Sequence, residues 1–156
     1  MGELETRLML LEDRVAIEDA LLAYYTAVDS LGDLDGLVDC FTLDAICDLR
    51  DLGLQKLEGH DAIRDFFRGV FEDMTHHAHH VTNFRIARID GDEAEGRGYV
   101  IGRAIGRSGL KVFVHCHYDV RFARTKAGWK ISFFDEGSLM PLGDEVSDLH
   151  AREGVG

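Results

Sequence analysis

The sequence predicts a single α+β domain, in which three N-terminal helices pack on a strongly curved, mainly antiparallel sheet and enclose a cone. Two observations predict it. Apolar residues recur at helical spacing only before residue 75, whereas alternating apolar and polar residues with turn signals dominate after residue 79. Helices that are separated along the chain from a run of antiparallel strands are typical of α+β domains. The length of 156 residues, 46% of them hydrophobic, suits one domain with its own core.

Three helices are predicted in the first half of the chain. The first runs from about residue 5 to residue 30, and the other two follow the breaks "GD" and "EGHD". Each shows an apolar face at helical spacing, 4-3-4 in the first helix and i, i+3, i+4 and i+7 in the other two. These faces are Ile17, Leu21, Tyr24 and Val28 in the first helix, Leu34, Leu37, Val38 and Phe41 in the second, and Ile63, Phe66, Phe67, Val70 and Phe71 in the third. The turn-broken segment 45–59 predicts a small hairpin or two edge strands.

Four consecutive strands are predicted after residue 79, separated by the turns "DGD", "SG" and "TKAG", and they form a meander. One face of the third of these strands is apolar. The cone interior is therefore predicted to be an apolar pocket with few polar groups, the usual form of a small-molecule site. The residues expected to contact a substrate there are Tyr25, Phe67, Val114, Cys116, Tyr118 and Val120.

Composition excludes several classes of partner. The chain has 17 Lys and Arg against 29 Asp and Glu, and its net charge of -12 repels nucleic acid and anionic lipid. No apolar run approaches the ~20 residues that span a bilayer, and no signal peptide is recognisable, so a cytoplasmic protein is expected. Cys40, Cys47 and Cys116 lack CxxC spacing and are predicted to be small buried hydrophobes rather than disulfide or zinc residues.

The stretch "MTHHAHHVTN" places four histidines in five positions: His76, His77, His79 and His80. The first two fall in a predicted loop between helix and strand and are expected to be solvated. A metal would require several imidazoles of one short segment to converge, whereas HExxH-type sites use one helical face and a third ligand elsewhere, so no metal is expected. One imidazole acting as an acid or base is the preferred hypothesis.

Strand periodicity does not decide which histidine enters the pocket. His79 and His80 point to opposite faces of the predicted strand. Counting back by twos from Ile86 and Phe84 favours His80, but a β-bulge would reverse that parity.

Asp29 extends the buried stripe of the first helix, four residues after Tyr25, with a carboxylate. One interpretation is that it caps a helix or meets water. Asp33 is the better cap candidate, because it directly precedes the helix that starts at Leu34. Asp29 is then left without a structural role and becomes a candidate for the site.

At this point the chain resembles a known family. The segments "LEDRVAIEDALLAYYTAVDSLGDLDGLVDCFTLDA", "HHVTNFRI", "DGDEAEG" and "RTKAGWKI" are similar to the SnoaL-like branch of the nuclear transport factor 2-like superfamily. The resemblance covers about residues 8–135, the expected core of a single domain spanning 1–156, and leaves 137–156 as a C-terminal tail. It implies an α+β cone and homodimers or larger homo-oligomers.

Catalytic members of the family include scytalone dehydratase, a bile acid dehydratase, a hexachlorocyclohexane dehydrochlorinase and polyketide cyclases. By this resemblance, the catalytic aspartate falls on Asp29, its nearby tyrosine on Tyr24 and the strand-head histidine on His79. The chain departs from scytalone dehydratase, which has a second pocket histidine on a later strand. Near that point, the apolar face of this chain has Val120, Tyr118 and Cys116 instead. His115 and His117 alternate to the opposite face, where the superfamily often forms its dimer.

The expected activity is cofactor-independent elimination, isomerisation or cyclisation of a largely apolar, oxygenated ring compound, with dehydratase-like elimination favoured. An imidazole held by a carboxylate is oriented and made more basic, so His79 would be the base and Asp29 its partner. Tyr24 would donate to an oxygen, and Asn83 either orients the substrate or satisfies backbone groups. The alternatives are a non-catalytic binding module and a structural small subunit of a ring-hydroxylating dioxygenase.

Overall fold

The computed structural model describes residues 2–142, which form three α-helices, one short 3-10 helix and a six-stranded sheet. The predicted α+β architecture is therefore confirmed, and the predicted tail lies largely outside the described residues. The elements are α1 (Glu3–Ser30), α2 (Leu34–Asp39), β1 (Phe41–Asp48), η1 (Arg50–Leu52), β2 (Lys56–Glu58), α3 (Gly59–Asp73), β3 (Met74–Asp90), β4 (Glu93–Gly106), β5 (Lys111–Thr125) and β6 (Gly128–Ser138).

The sheet has the strand order β2-β1-β6-β5-β4-β3. Strands β3 to β6 form the predicted antiparallel meander, and β1 and β2 form the predicted small hairpin. The hairpin joins the sheet because β1 pairs in parallel with β6. The sheet is curled but not closed, and α1, α2 and α3 cover its concave side. This arrangement is the expected cone.

The helices begin and end where the residue types favour it. Asp33 caps α2 as predicted, since its carboxylate accepts a hydrogen bond of 2.9 Å from the backbone N–H of Gly36. Helix α1 ends at Ser30, and Leu31 adopts a left-handed conformation with φ 52°. This turn releases the chain directly after Asp29, which therefore occupies the last turn of the helix.

The predicted loop that would contain His76 and His77 is not present. Strand β3 begins at Met74, immediately after α3 ends at Asp73. The whole histidine cluster consequently lies in a strand that pairs with β4. His77 and His79 are two positions apart and share the concave face, whereas His80 is exposed.

Two of the β-bulges in the sheet bear on the site, because each reverses the alternation of side chains along its strand. In β3 the register shifts between Thr82 and Arg85, and Asn83 adopts φ 53°. In β6, Ile131 pairs with Phe122 and Phe133 pairs with Arg121, two adjacent residues of β5. Ser132 is therefore the extra residue of β6. Beyond each bulge, the residues that strict alternation places outside lie inside.

Hydrogen bonds between α1 and the sheet stabilise the base of the cone. Arg124 on β5 makes two hydrogen bonds of 2.7 Å to the carboxylate of Asp13 on α1. The indole N–H of Trp129 on β6 donates to the same carboxylate at 3.1 Å. Above this contact, the buried face of α1 joins the core that fills the cone. No helix within residues 2–142 is long and apolar enough to cross a membrane.

Candidate active site

Asp29 and His79 meet at the edge of the cone interior. The imidazole Nδ1 of His79 and Oδ1 of Asp29 are 2.6 Å apart. The backbone N–H of His79 donates a second hydrogen bond of 2.9 Å to Oδ2 of the same carboxylate. Two bonds from one residue fix the carboxylate against the strand. The last turn of α1 and the sixth position of β3 are thus joined side chain to side chain, as the resemblance implied.

The hydrogen bonds decide the charge of Asp29. Burial by itself would raise the pKa of this carboxyl, but the bonds from the His79 side chain and backbone outweigh it and lower the pKa. Asp29 is therefore an anion near neutral pH. Because a carboxylate only accepts hydrogen bonds, Nδ1 of His79 carries the proton and Nε2 is the basic nitrogen.

The Nε2 atom of His79 has no hydrogen-bond partner among residues 2–142, and the side chain is only 10% exposed. The ring lies against that of Tyr25, with 5.6 Å between centroids, and against that of His77 at 4.7 Å. Opposite His79 in the register stands Gly102 on β4, where a Cβ would approach the imidazole to 3.7 Å. The same Cβ would come within 2.9 Å of Cγ2 of Val114, so close packing against β5 favours glycine at this position.

His79 borders a cavity of about 100 Å³ between the helices and the concave face of the sheet. Most of its lining is apolar, and the polar side chains are few. The lining residues are Tyr24, Val28, Leu49, Leu52, Leu54, Phe66, Phe67, Val70, Met74, His77, His79, Gly102, Arg103, Ala104, Val112, Val114, Tyr118 and Glu136. An apolar cavity with few convergent polar groups is the usual form of a small-molecule site.

The structure brings only part of the predicted substrate-contacting set to this cavity. Phe67, Val114 and Tyr118 line it as expected, together with Tyr24. Four predicted residues do not line it, for reasons that differ. These are Tyr25, Asn83, Cys116 and Val120.

Two of these four residues are buried behind the cavity wall on β5. Cys116 and Val120 lie on the predicted concave face but are packed in the core.

Tyr25 is also buried, beside Asp29 and His79, and its ring stacks on that of Tyr118 with 5.7 Å between centroids. Its hydroxyl has no hydrogen-bond partner among the described residues. Tyr25 therefore shapes the wall without lining the cavity.

Asn83 lies outside the cavity, because it is the exposed bulge residue of β3. Its left-handed φ is a conformation that Asn adopts more readily than most residues. The role that the structure gives it is to turn the strand, and by doing so it sets which histidine faces inward. His79 faces inward and His80 outward, so the parity count that favoured His80 is wrong.

Tyr24 is enclosed by aromatic rings and lines the cavity. Its ring contacts those of Phe41, Phe67 and Phe134, with centroid distances from 5.0 to 6.2 Å. Burial raises the pKa of Tyr24 well above its usual value, and the hydroxyl stays protonated at any physiological pH. Tyr24 is thus suited to donate a hydrogen bond and not to act as a base.

One functional candidate escaped the sequence reasoning. Glu136 on β6 lines the cavity and is 8% exposed, which makes it the one buried charged residue among residues 2–142. Burial raises the pKa of this carboxyl, although an electrostatic interaction with His79 and hydrogen bonding with Cys116 and Tyr118 act in the opposite direction. Alternation counted from Trp129 places Glu136 outside, and the bulge at Ser132 brings it inside. The only signal for Glu136 in the sequence is that an acid directly follows "FFD" in the last predicted strand.

His77 was also misjudged, since it lines the cavity instead of being solvated. One ligand atom each from Asp29, His77 and His79 lie within 4.8 Å of one another, a spacing that could hold a metal ion. A metal on these atoms would replace the 2.6 Å hydrogen bond between Asp29 and His79.

His115 and His117 do not enter the cavity. They lie on the convex face of β5, as alternation predicted. The ring of His115 contacts Phe113 at 4.8 Å, and Nε2 of His117 lies 3.6 Å from a carboxylate oxygen of Asp119. Neither imidazole can therefore contact Asp29 or His79.

Comparisons with known proteins identify the family of the chain. Residues 9–135 match the SnoaL-like domain family. The solved structure of a candidate aromatic ring hydroxylase from Novosphingobium aromaticivorans is 44% identical, covers 87% of this chain and 97% of its own, and superposes with a TM-score of 0.83. No curated protein matches the chain.

Two more distant structures share the fold. A candidate scytalone dehydratase from Novosphingobium aromaticivorans is 20% identical over 86% of this chain and 89% of its own, with a TM-score of 0.77. A hexachlorocyclohexane dehydrochlorinase from Novosphingobium barchaimii is 20% identical over 86% of this chain and 91% of its own, with a TM-score of 0.75. Since the family match spans most of the sequence and the cone is the one that the family forms, the chain belongs to the SnoaL-like family of the nuclear transport factor 2-like superfamily.

Proposed function

We propose that the protein is a cofactor-independent lyase or isomerase that removes a proton from a largely apolar, oxygenated ring compound. The observation that carries this proposal is the 2.6 Å hydrogen bond between Asp29 and His79 at the edge of an apolar cavity. It orients the imidazole and stabilises the imidazolium that forms when Nε2 accepts a proton. Elimination is the favoured reaction.

The chemistry uses groups that the chain itself supplies. Nε2 of His79 takes a proton from a carbon beside a carbonyl, and the enolate oxygen that develops needs a hydrogen-bond donor. Tyr24 lines the cavity and keeps its proton, so its hydroxyl is suited to that role. The apolar lining excludes water and strengthens both interactions.

The proposal is tested by turnover of a panel of cyclic β-hydroxyketones by the wild-type protein and His79→Ala. We expect His79→Ala to lower kcat by about 10²- to 10⁴-fold, because it removes the base. His80→Ala is the matched control, since it removes the neighbouring exposed imidazole and should keep the wild-type rate. Full activity in His79→Ala would refute the proposal.

Elemental analysis and chelator treatment complete this test. We expect no stoichiometric metal and no loss of turnover with a chelator. Stoichiometric metal, together with equal damage from His77→Ala and His79→Ala, would instead assign the Asp29, His77 and His79 group to a metal centre.

A second candidate function is supported by the similar structure named as a candidate aromatic ring hydroxylase. On this hypothesis the cone is a non-catalytic binding module or a structural subunit of a ring-hydroxylating enzyme. It predicts that cyclic ketones bind without turnover and that His79→Ala binds them equally well, as measured by calorimetry. Turnover that depends on His79 would exclude it.

A further inference from the structure

Glu136 faces the same cavity as His79 from the other side of the meander. Its strand, β6, lies three places from β3 in the curled sheet. Both side chains line the cavity. A substrate that fills the cavity therefore lies between an imidazole and a carboxyl.

The two carboxyl groups of the site have opposite surroundings. Asp29 is held as an anion by two hydrogen bonds from His79, which lower its pKa. Glu136 is 8% exposed, and burial raises its pKa. Surroundings that shift the pKa values of two carboxyl groups in opposite directions are typical of sites in which one acid is ionised and the other donates a proton.

The neighbours of Glu136 leave its proton available. Hydrogen bonding from the Cys116 thiol and the Tyr118 hydroxyl acts to lower the pKa of the carboxyl, against the effect of burial. Burial raises the pKa of both groups, so each keeps its own proton and donates. Neither neighbour takes a proton from Glu136, whose side chain lines the cavity that a substrate would fill.

We propose that Glu136 is the proton donor to the leaving group, and that the cavity is therefore built to expel a hydroxyl group as water. This inference rests on the function proposed above. A hydroxide is a poor leaving group and needs a proton as the C–O bond breaks, whereas a halide leaves as a stable anion without one.

The step is balanced. Nε2 of His79 takes the proton from the carbon beside the carbonyl, and the electron pair of that C–H bond forms the new C=C bond. The C–O bond breaks, and its oxygen takes the proton of Glu136 and leaves as water. His79 ends as an imidazolium and Glu136 as a carboxylate. Transfer of one proton from the imidazolium to the carboxylate, directly or through solvent, restores both groups.

The kinetic test uses two substrates with one skeleton, a bicyclic β-hydroxyketone and its β-chloro counterpart, with Glu136→Gln as the variant. Glutamine keeps the shape and accepts from Tyr118 and Cys116, but it has no acid proton. We expect Glu136→Gln to lower kcat on the hydroxy substrate by about 10²-fold or more and to leave kcat on the chloro substrate within about threefold. Equal losses on both substrates would overturn the proposal.

His79→Ala separates this inference from the proposed function. Removing the base should reduce turnover of both substrates. If His79→Ala keeps full activity on both, the proposed function fails. If His79→Ala is inactive and Glu136→Gln is unimpaired on the hydroxy substrate, only the role of Glu136 fails.

Infrared difference spectroscopy of wild type minus Glu136→Gln at neutral pH gives a readout that needs no turnover. We expect a carbonyl band of a protonated carboxylic acid that shifts when a saturated bicyclic ketone is added. Absence of the protonated band would overturn the proposal. If Glu136→Gln does not fold, the same band is sought in wild-type protein with isotopically labelled glutamate.

Discussion

At the scale of single residues, the site depends on how differently its three acid–base groups are placed. Asp29 is held by two hydrogen bonds, His79 presents one free nitrogen to the cavity, and Glu136 is buried against two donors. Each state follows from the immediate surroundings and not from residue type alone. The charge of Asp29 can be examined without a substrate.

The lowered pKa of Asp29 predicts how stability changes with pH. A carboxyl whose pKa is lower in the folded state stabilises the fold above its ordinary value of 3.8, and this stabilisation is lost as pH falls through the folded pKa. We expect the free energy of unfolding of wild type to exceed that of Asp29→Asn at neutral pH, and the difference to shrink below pH 3.8. Urea unfolding across this range measures it.

Asp19→Asn provides the control for this measurement. It removes an exposed carboxylate from the same helix, α1, and should not reproduce the difference. A gap between wild type and Asp29→Asn that stays constant from neutral to acidic pH would contradict the ionised state assigned to Asp29.

At the scale of elements, the strands decide which side chains reach the cavity. Periodicity predicted the helices, the hairpin and the meander, because their apolar faces repeat regularly. It failed for His79 and Glu136 for one physical reason. A β-bulge adds one residue and reverses the alternation, and no period of two contains that information.

Asp29 and His77 differ from these two residues, because no bulge decides their placement. Asp29 was found from its position on a buried helical stripe, where no bulge intervenes. The loop predicted to contain His77 between helix and strand is absent, because α3 passes into β3 without a connection. Only the family resemblance placed His79 on the concave face, because the bulge at Asn83 reverses the side-chain alternation on which the count from Ile86 relies.

The bulge in β3 can be tested by substitution of Asn83. Its φ of 53° is costly for a β-branched residue, so Asn83→Val should destabilise the fold by about 1–2 kcal/mol. Asn83→Gly should be tolerated. Thr82→Val places the same side chain at the adjacent extended position and should change stability by less than about 0.5 kcal/mol. Urea unfolding compares the three variants, and equal effects of Asn83→Val and Thr82→Val would argue against the bulge.

At the scale of the whole molecule, the convex face of the sheet is too apolar for an ordinary solvated surface. Phe113 is 53% exposed, and the guanidinium of Arg103 lies 4.6 Å from the centre of its ring. Tyr99 on β4 and His115 on β5 extend this surface. Aromatic residues and arginine are enriched at protein interfaces, so we propose that two copies associate through this face.

Sedimentation tests the proposed dimer. We expect wild type to sediment as a dimer at micromolar concentration, and Phe113→Asp to raise the dissociation constant about tenfold or more. Leu8→Asp is the matched control, because Leu8 is 55% exposed on α1, away from the sheet face. A monomeric wild type would contradict the proposal, and dissociation by Leu8→Asp alone would move the interface to the helix.

The central claim is that Asp29 and His79 act as one catalytic unit, and a double-mutant cycle tests it most directly. The quantity measured is kcat on the best substrate of the panel for wild type, His79→Ala, Asp29→Asn and the double variant. We predict that the double variant is as slow as His79→Ala alone, because Asp29 acts only through the imidazole that it holds. Losses that multiply in the double variant, or a wild-type rate in Asp29→Asn, would contradict the account.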